Sequence, residues 1–192
     1  MKRYTQIALL LFISCAACEE QVEVFDLQSV TIEDLYTIDL PSRLKSGYDM
    51  HDYASLQYYD TLSNLYVIGI EDAKENLGQI KRRRLKQKSY FKFVESTVFS
   101  DVDSLVLETE QDYQLGPDLS LRAGDYYARS KNWGDIPVFY RIAVYENYDY
   151  FFQLVIWMPY QDHCKELNTW TDSTMRSFSF MNQGELNRIG ER

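Results

Sequence analysis

Cysteine is scarce in this chain of 192 residues: Cys15 and Cys18 stand together near the start, and Cys164 stands alone. Three thiols so placed exclude a disulfide-stapled scaffold and a four-cysteine zinc ribbon. Histidine is scarcer still, at His51 and His163, which are not at metal-ligand spacing. HExxH, GxSxG, GxxxxGKS and GxGxxG are all absent, so the usual signatures of zinc proteases, α/β-hydrolases, P-loop proteins and dinucleotide binders are missing. Positive charge is short as well. Lys and Arg number 20 against 29 Asp and Glu, a net charge of −9. That balance disfavours nucleic acid as a partner, because displacing phosphate counterions takes Lys and Arg. It also disfavours adhesion to anionic lipid by charge alone. No apolar run approaches the roughly 20 residues that cross a bilayer as a helix.

What the chain has is aromatic residues: 16 Tyr, 10 Phe and 3 Trp. The densest stretch runs from Ile136 to Tyr160. Val138, Tyr140, Ile142 and Val144 alternate with Phe139, Arg141, Ala143 and Tyr145, a two-residue period that predicts a strand. Glu146 to Asp149 is a polar break of hairpin length, and Tyr150 to Met158 is the return strand. There Phe152, Leu154 and Ile156 face one way, and Phe151, Val155 and Trp157 the other. A strand apolar on both sides belongs in the middle of a sheet covered on both sides. The length allows one domain, with enough core to need no metal or disulfide.

Met1 to Cys18 reads as a targeting segment, with Lys2 and Arg3 ahead of the apolar run Ile7 to Ile13. The following Ser14-Cys15-Ala16-Ala17-Cys18 resembles the lipobox of bacterial lipoproteins, in which a signal peptidase cuts before a lipidated Cys. Cys15 is the favoured attachment site and Cys18 the alternative. Acyl chains there would hold the protein on a membrane of the bacterial cell envelope. Residues 19–30 read as an acidic tether, 31–181 as the folded domain and 182–192 as a polar tail. Within the domain, Leu35 to Leu40 predicts a strand closed by Pro41, and Ala54 to Tyr59 with Asn64 to Asp72 a hairpin. Ala73 to Lys88 is helix-prone. Phe91, Val94, Val98, Val102 and Leu105 recur at helical spacing, with Ser89 as the cap. Tyr113–Leu115, Leu119–Arg122 and Tyr126–Ser130 read as short strands around Gly116-Pro117 and Gly124-Asp125 turns. Asp162 begins a last helix carrying Cys164, Leu167, Thr171 and Thr174, and Ser177 to Met181 closes the domain as a strand.

Few residues suggest chemistry. Asp49, His51 and Asp52 share a loop and are candidates for a divalent-cation or base site, or are simply solvated. His163 and Cys164 are adjacent, so on a helix they point apart and make no dyad. Asp101-x-Asp103-Ser104 starts like a calcium loop but lacks its glycine. Lys81, Arg82, Arg83 and Arg84, with Lys86, Lys88 and Lys92, put seven of the 20 basic residues in twelve positions. They form either a docking patch for an acidic partner or a solvated face. Tyr126, Tyr127 and Trp133 are the candidate protein-contact surface, since Tyr and Trp favour interfaces. No catalytic residue, metal ligand or cofactor is assigned.

Four stretches together resemble the Mog1/PsbP-like family: YTIDLP (Tyr36 to Pro41), ASLQYYDTLSNLYVIGIED (Ala54 to Asp72), YFFQLVIWMP (Tyr150 to Pro159) and RSFSF (Arg176 to Phe180). The resemblance implies an α+β fold, an α/β/α sandwich around a central antiparallel sheet. It also implies a binding or assembly role, because members serve as cofactors of a nuclear GTPase, extrinsic photosystem subunits, periplasmic lipoproteins and effector chaperones. No catalytic residues carry over. The expectation is a lipid-anchored, non-enzymatic module that binds another protein, the alternative being a periplasmic carrier of a small molecule or divalent cation.

Overall fold

The computed structural model describes residues 26–47, 50–78, 85–131, 134–160 and 165–181. In chain order its elements are β1 (Leu27–Ile32), β2 (Tyr36–Pro41), β3 (Lys45–Ser46), β4 (Leu56–Asp60), β5 (Leu65–Ala73), α1 (Lys74–Gly78), α2 (Gln87–Val98), β6 (Ser104–Gln114), β7 (Ser120–Arg129), β8 (Val138–Glu146), β9 (Tyr150–Pro159), α3 (Lys165–Ser177) and β10 (Ser179–Phe180). The alternating stretch forms the β8–β9 hairpin, its turn tied by Asn147 Oδ1, which accepts from the backbone N–H groups of Asp149 (2.9 Å) and Tyr150 (2.7 Å). β9 is the middle strand of a seven-stranded sheet ordered β3-β4-β5-β9-β8-β7-β6, antiparallel throughout. A smaller sheet, β1-β2-β10, packs with α3 on one face of it, and α2 packs on the other. The result is an α+β sandwich.

The face toward β2 and α3 is sealed by aromatic rings. The Tyr36 ring lies 4.4 Å from Phe152, Phe152 4.7 Å from Phe178, and Phe178 4.0 Å from Tyr145. These four rings join β2, β8, β9 and the end of α3. Leu154 and Ile156 are fully buried on the same face, each contributing about 1.5–3 kcal/mol. Gly69 is needed here, because a Cβ would stand 2.5 Å from the Phe152 ring and 3.0 Å from Leu56 Cβ. α3 is fixed by polar groups as well: the Tyr145 hydroxyl donates to the Met175 carbonyl (3.0 Å), and the Asp39 N–H donates to Ser177 Oγ (2.8 Å).

Several expectations are corrected. The tether was to run to Val30, yet Leu27–Ile32 is a strand, with Val30 buried opposite Ile38 on β2. The helix expected from Ala73 ends at Gly78, and the next begins at Gln87. Ser89 lies inside α2; the N-cap is Lys86, without a side-chain cap bond. The helical stripe stops at Val98, because the chain turns at Phe99 and Leu105 already belongs to β6. Gly124-Asp125 is no turn. Gly124 sits within β7, where the Tyr126 ring passes 2.9 Å from the position of a Cβ, and Asp125 pairs with Arg141 of β8. The three expected short strands are therefore two long ones joined at Gly116-Pro117. The leader 1–18 with Cys15 and Cys18, the tail 182–192, Asp162, His163 and Cys164 lie outside the described residues. Among the described residues no helix is long and apolar enough to cross a membrane.

Candidate binding groove

A helix is about 10 Å wide and strands lie about 4.8 Å apart, so α2 covers roughly two strands. Tyr90, Phe91 and Val94 of α2 pack onto β7 and β8 through Tyr126, Ala128, Ile142 and Val144. On that same face, among the described residues, no helix lies over β5 or over β9 beyond Phe151, whose ring stacks on Tyr90 of α2 at 4.3 Å, and there the surface is concave.

The groove has a volume of about 850 Å³. Its floor is set by the β5–β9 register, which places Tyr66 opposite Trp157, Ile68 opposite Val155 and Ile70 opposite Gln153. The Tyr66 and Trp157 rings stack at 5.3 Å with 17° between their planes. Phe93, Thr97 and Val98 of α2 form one wall, Val138 and Tyr140 of β8 lie beneath them, and Leu77 of α1 closes one end. His51 and Tyr53 stand at the rim, and Phe93 (56% exposed) and Tyr53 (82% exposed) stand out toward solvent.

Charge is sparse inside. Asp72 accepts a short hydrogen bond from the Tyr90 hydroxyl, and burial together with that carboxylate pushes the Tyr90 pKa far up. Burial raises the Tyr140 hydroxyl to about 12. His51 Nδ1 accepts from the Tyr53 N–H at 3.3 Å, turning the imidazole back on its own loop. The groove thus offers apolar surface and stacked rings, with no lysine or arginine among its described lining residues.

A second polar cluster lies on the other face. Arg141 is bidentate to Asp125, with Nε to Oδ1 at 2.5 Å and Nη2 to Oδ2 at 2.7 Å. Its Nη1 donates to Thr171 and, at 2.8 Å, to Asp172 of α3. All the partners are internal, and the cluster pins α3 to the sheet. A third cluster lies at the end of the sheet, where Tyr36, Ser55 and Glu71 form a hydrogen-bonded chain beside Lys74, which binds Glu146 at 2.6 Å.

Of the expected contact surface, Tyr126 is fully buried beneath α2, its ring 4.9 Å from Phe99. This corrects the sequence reading: Tyr126 and Tyr127 are adjacent in a strand and so face opposite ways. Tyr127 lies on the other face, half-buried with its ring 4.9 Å from Tyr160. Trp133, Asp49 and the basic run Lys81, Arg82, Arg83 and Arg84 lie outside the described residues. His51 and Asp52 are exposed. Among the described residues no group of three or more His, Cys, Asp or Glu side chains is arranged to hold a metal ion. The sequence reading missed the groove, though the signal on β5 was visible: Tyr66, Ile68 and Ile70 alternate as apolar residues on the side away from Leu65 and Val67.

No protein-family model and no curated protein matches the chain. Among solved structures it is similar to the solution structure of the cyanobacterial PsbP (CyanoP) from Synechocystis sp. PCC 6803, with a TM-score of 0.51 and 12% identity over 83% of this chain and 95% of that one. At so low an identity the likeness is one of fold. The resemblance to the Mog1/PsbP-like family had implied this architecture, and the chain has a PsbP-like α+β fold.

Proposed function

We propose that this protein is a non-enzymatic binding module, lipid-anchored in a bacterial cell envelope, that holds an apolar segment of another protein in the groove beside α2. The observation that carries the reading is the character of the uncovered strands. An antiparallel face left to water alternates toward polar side chains, whereas β5 and β9 present Tyr66, Ile68, Ile70, Val155 and Trp157 to the groove. Exposed Phe93 and Tyr53 beside a concave apolar floor supply the aromatic anchors on which protein interfaces rest. The anchor is supported by Lys2-Arg3, the apolar run Ile7 to Ile13 and the small-residue segment ending at Cys15 or Cys18. The intact mass of protein extracted from its membrane tests it: a mature N-terminus at either Cys with acyl mass added is expected, and an unmodified chain refutes it.

A second reading, a carrier of a small apolar molecule, draws on the groove volume, which falls among ligand sites of about 300–1,000 Å³. One experiment separates the two. A photoreactive residue replaces Phe93 in the groove wall or, as a control, the exposed Asp118, and the cells are irradiated. The protein reading expects an adduct of protein mass from position 93 alone, lost when Ile70→Lys is added to a chain that still unfolds at its usual temperature. An adduct of only lipid or metabolite mass would instead favour the carrier.

A further inference from the structure

The seven-stranded sheet ends unequally. At one edge β3 has only two residues, too few for a ladder; at the other, β6 has eleven. β6 pairs with β7 on its inner side, and among the described residues no strand lies beyond it. Its backbone groups on the outer side are therefore open to a further strand. Natural edges are blunted by shortness, charge or a bulge. β6 has a bulge between Leu107 and Thr109, but before it Leu105, Val106 and Leu107 are consecutive and 40%, 56% and 47% exposed.

The second half of β6 differs in charge. Glu108 stands in the bulge, and Glu110 and Asp112 follow it. Glu110 is held by Arg122 and by Lys92 at 3.4 Å, and Arg122 reaches Asp112 at 2.9 Å, yet Asp112 remains 64% exposed. Glu108 is exposed too. A second copy of the chain suits this edge poorly. Antiparallel self-pairing centred on Val106 brings the region of Asp101 and Asp103 beside that of Glu108 and Glu110, and each copy carries a net charge of −9. Like charges on neighbouring strands destabilise the pairing.

We infer that β6 is a strand-addition site for an extended segment of another protein, apolar where it lies along Leu105–Leu107 and carrying lysine or arginine where it lies along Glu108–Asp112. Main-chain hydrogen bonds supply the affinity and the side-chain pattern the selectivity. In the antiparallel orientation, the basic residues of the incoming strand come before its apolar ones. The site is separate from the groove, since α2 lies between them over β7 and β8.

Amide hydrogen exchange of the full chain in detergent tests this, with the blocked peptide Lys-Thr-Lys-Thr-Val-Thr-Val-Thr as probe. Slowed exchange is expected in β6 and nowhere along β5 or β9. The same peptide with Glu for Lys should bind at least tenfold more weakly, and a version with alternate backbone nitrogens methylated should give no protection. Changing Leu105 and Leu107 together to Lys should weaken the basic peptide by about tenfold while leaving the unfolding temperature unchanged. Ile70→Lys in the groove should leave peptide binding as it was. Unchanged exchange in β6 at saturating peptide, or equal binding of the acidic and basic peptides, overturns the inference. Protection appearing in β5 and β9 instead overturns it too, while leaving the groove reading standing.

Discussion

Replacing Arg141 with Met should be among the most damaging single substitutions in this protein. The Arg141 and Asp125 side chains are only 8% and 12% exposed, and their bidentate pair spans neighbouring strands in the sheet interior. Without the guanidinium, the Asp125 carboxylate keeps, among the described residues, only the Thr109 hydroxyl, at 3.0 Å, as a side-chain partner. Breaking a buried pair by removing one member costs about 3–5 kcal/mol, or a fall in Tm of roughly 6–20 °C for a chain of this size. The bond to Asp172 adds little, because that carboxylate is 54% exposed. The double variant Arg141→Met with Asp125→Leu removes both charges. Since a buried pair roughly breaks even against apolar residues of similar volume, it should recover most of the loss. Urea unfolding followed by far-UV circular dichroism measures both, with a constant m-value confirming that the folded states compare. A loss under about 1 kcal/mol in the single variant would refute the reasoning. A double variant no more stable than the single would refute it equally.

Gly69→Ala should destabilise by about 1–3 kcal/mol in the same assay, because its methyl would sit 2.5 Å from the buried Phe152 ring. Asp60 gives a pH prediction. Burial pulls its pKa up, but hydrogen bonds from Ser63 Oγ and the Leu62 N–H, with Arg43 nearby, hold it below the usual carboxylate value. A carboxyl depressed in the folded state stabilises at neutral pH and loses that stabilisation as pH falls through its folded value. Asp60→Asn should therefore lower stability at pH 7 and flatten its fall in acid, read from unfolding curves between pH 7 and 3. Nile red, a neutral apolar dye, should brighten on binding the groove; Ile70→Lys should abolish the signal while Phe93→Ala shifts stability by no more than about 0.5 kcal/mol.

The β8–β9 hairpin was legible because its period is local, and two apolar faces on one strand have a single interpretation. β1 was not, since acidic neighbours made its first four residues, Leu27–Val30, look like tether and its partner strand lies beyond a turn. Gly124-Asp125 misled for a specific reason. Gly-Asp is turn vocabulary, and the cation that makes a buried Asp tolerable comes from Arg141, sixteen positions away. Arg141 itself was the clue, as a charge within an apolar strand needs an internal partner. The misplacement of Tyr126 was avoidable from strand geometry alone. The groove was not readable as a site, because its lining comes from two loops, two helices and three strands. Each segment shows its apolar face, but which faces lack a cover is decided by where a single helix lands.

That division separates stability from binding. The face beneath β2 and α3 is closed by the Tyr36, Phe152, Phe178 and Tyr145 rings, so substitutions there act through cavities and should change folding first. The face over β5 and β9 is apolar without being closed. Ile70 is only partly buried, and a charge placed there is solvated at modest cost. If that surface were merely an unfilled part of the core, Ile70→Lys would weaken Nile red but leave capture of protein partners in cells unchanged. If it is kept apolar for a partner, the same substitution removes binding from a protein that still folds, and only the second result follows from the proposed function.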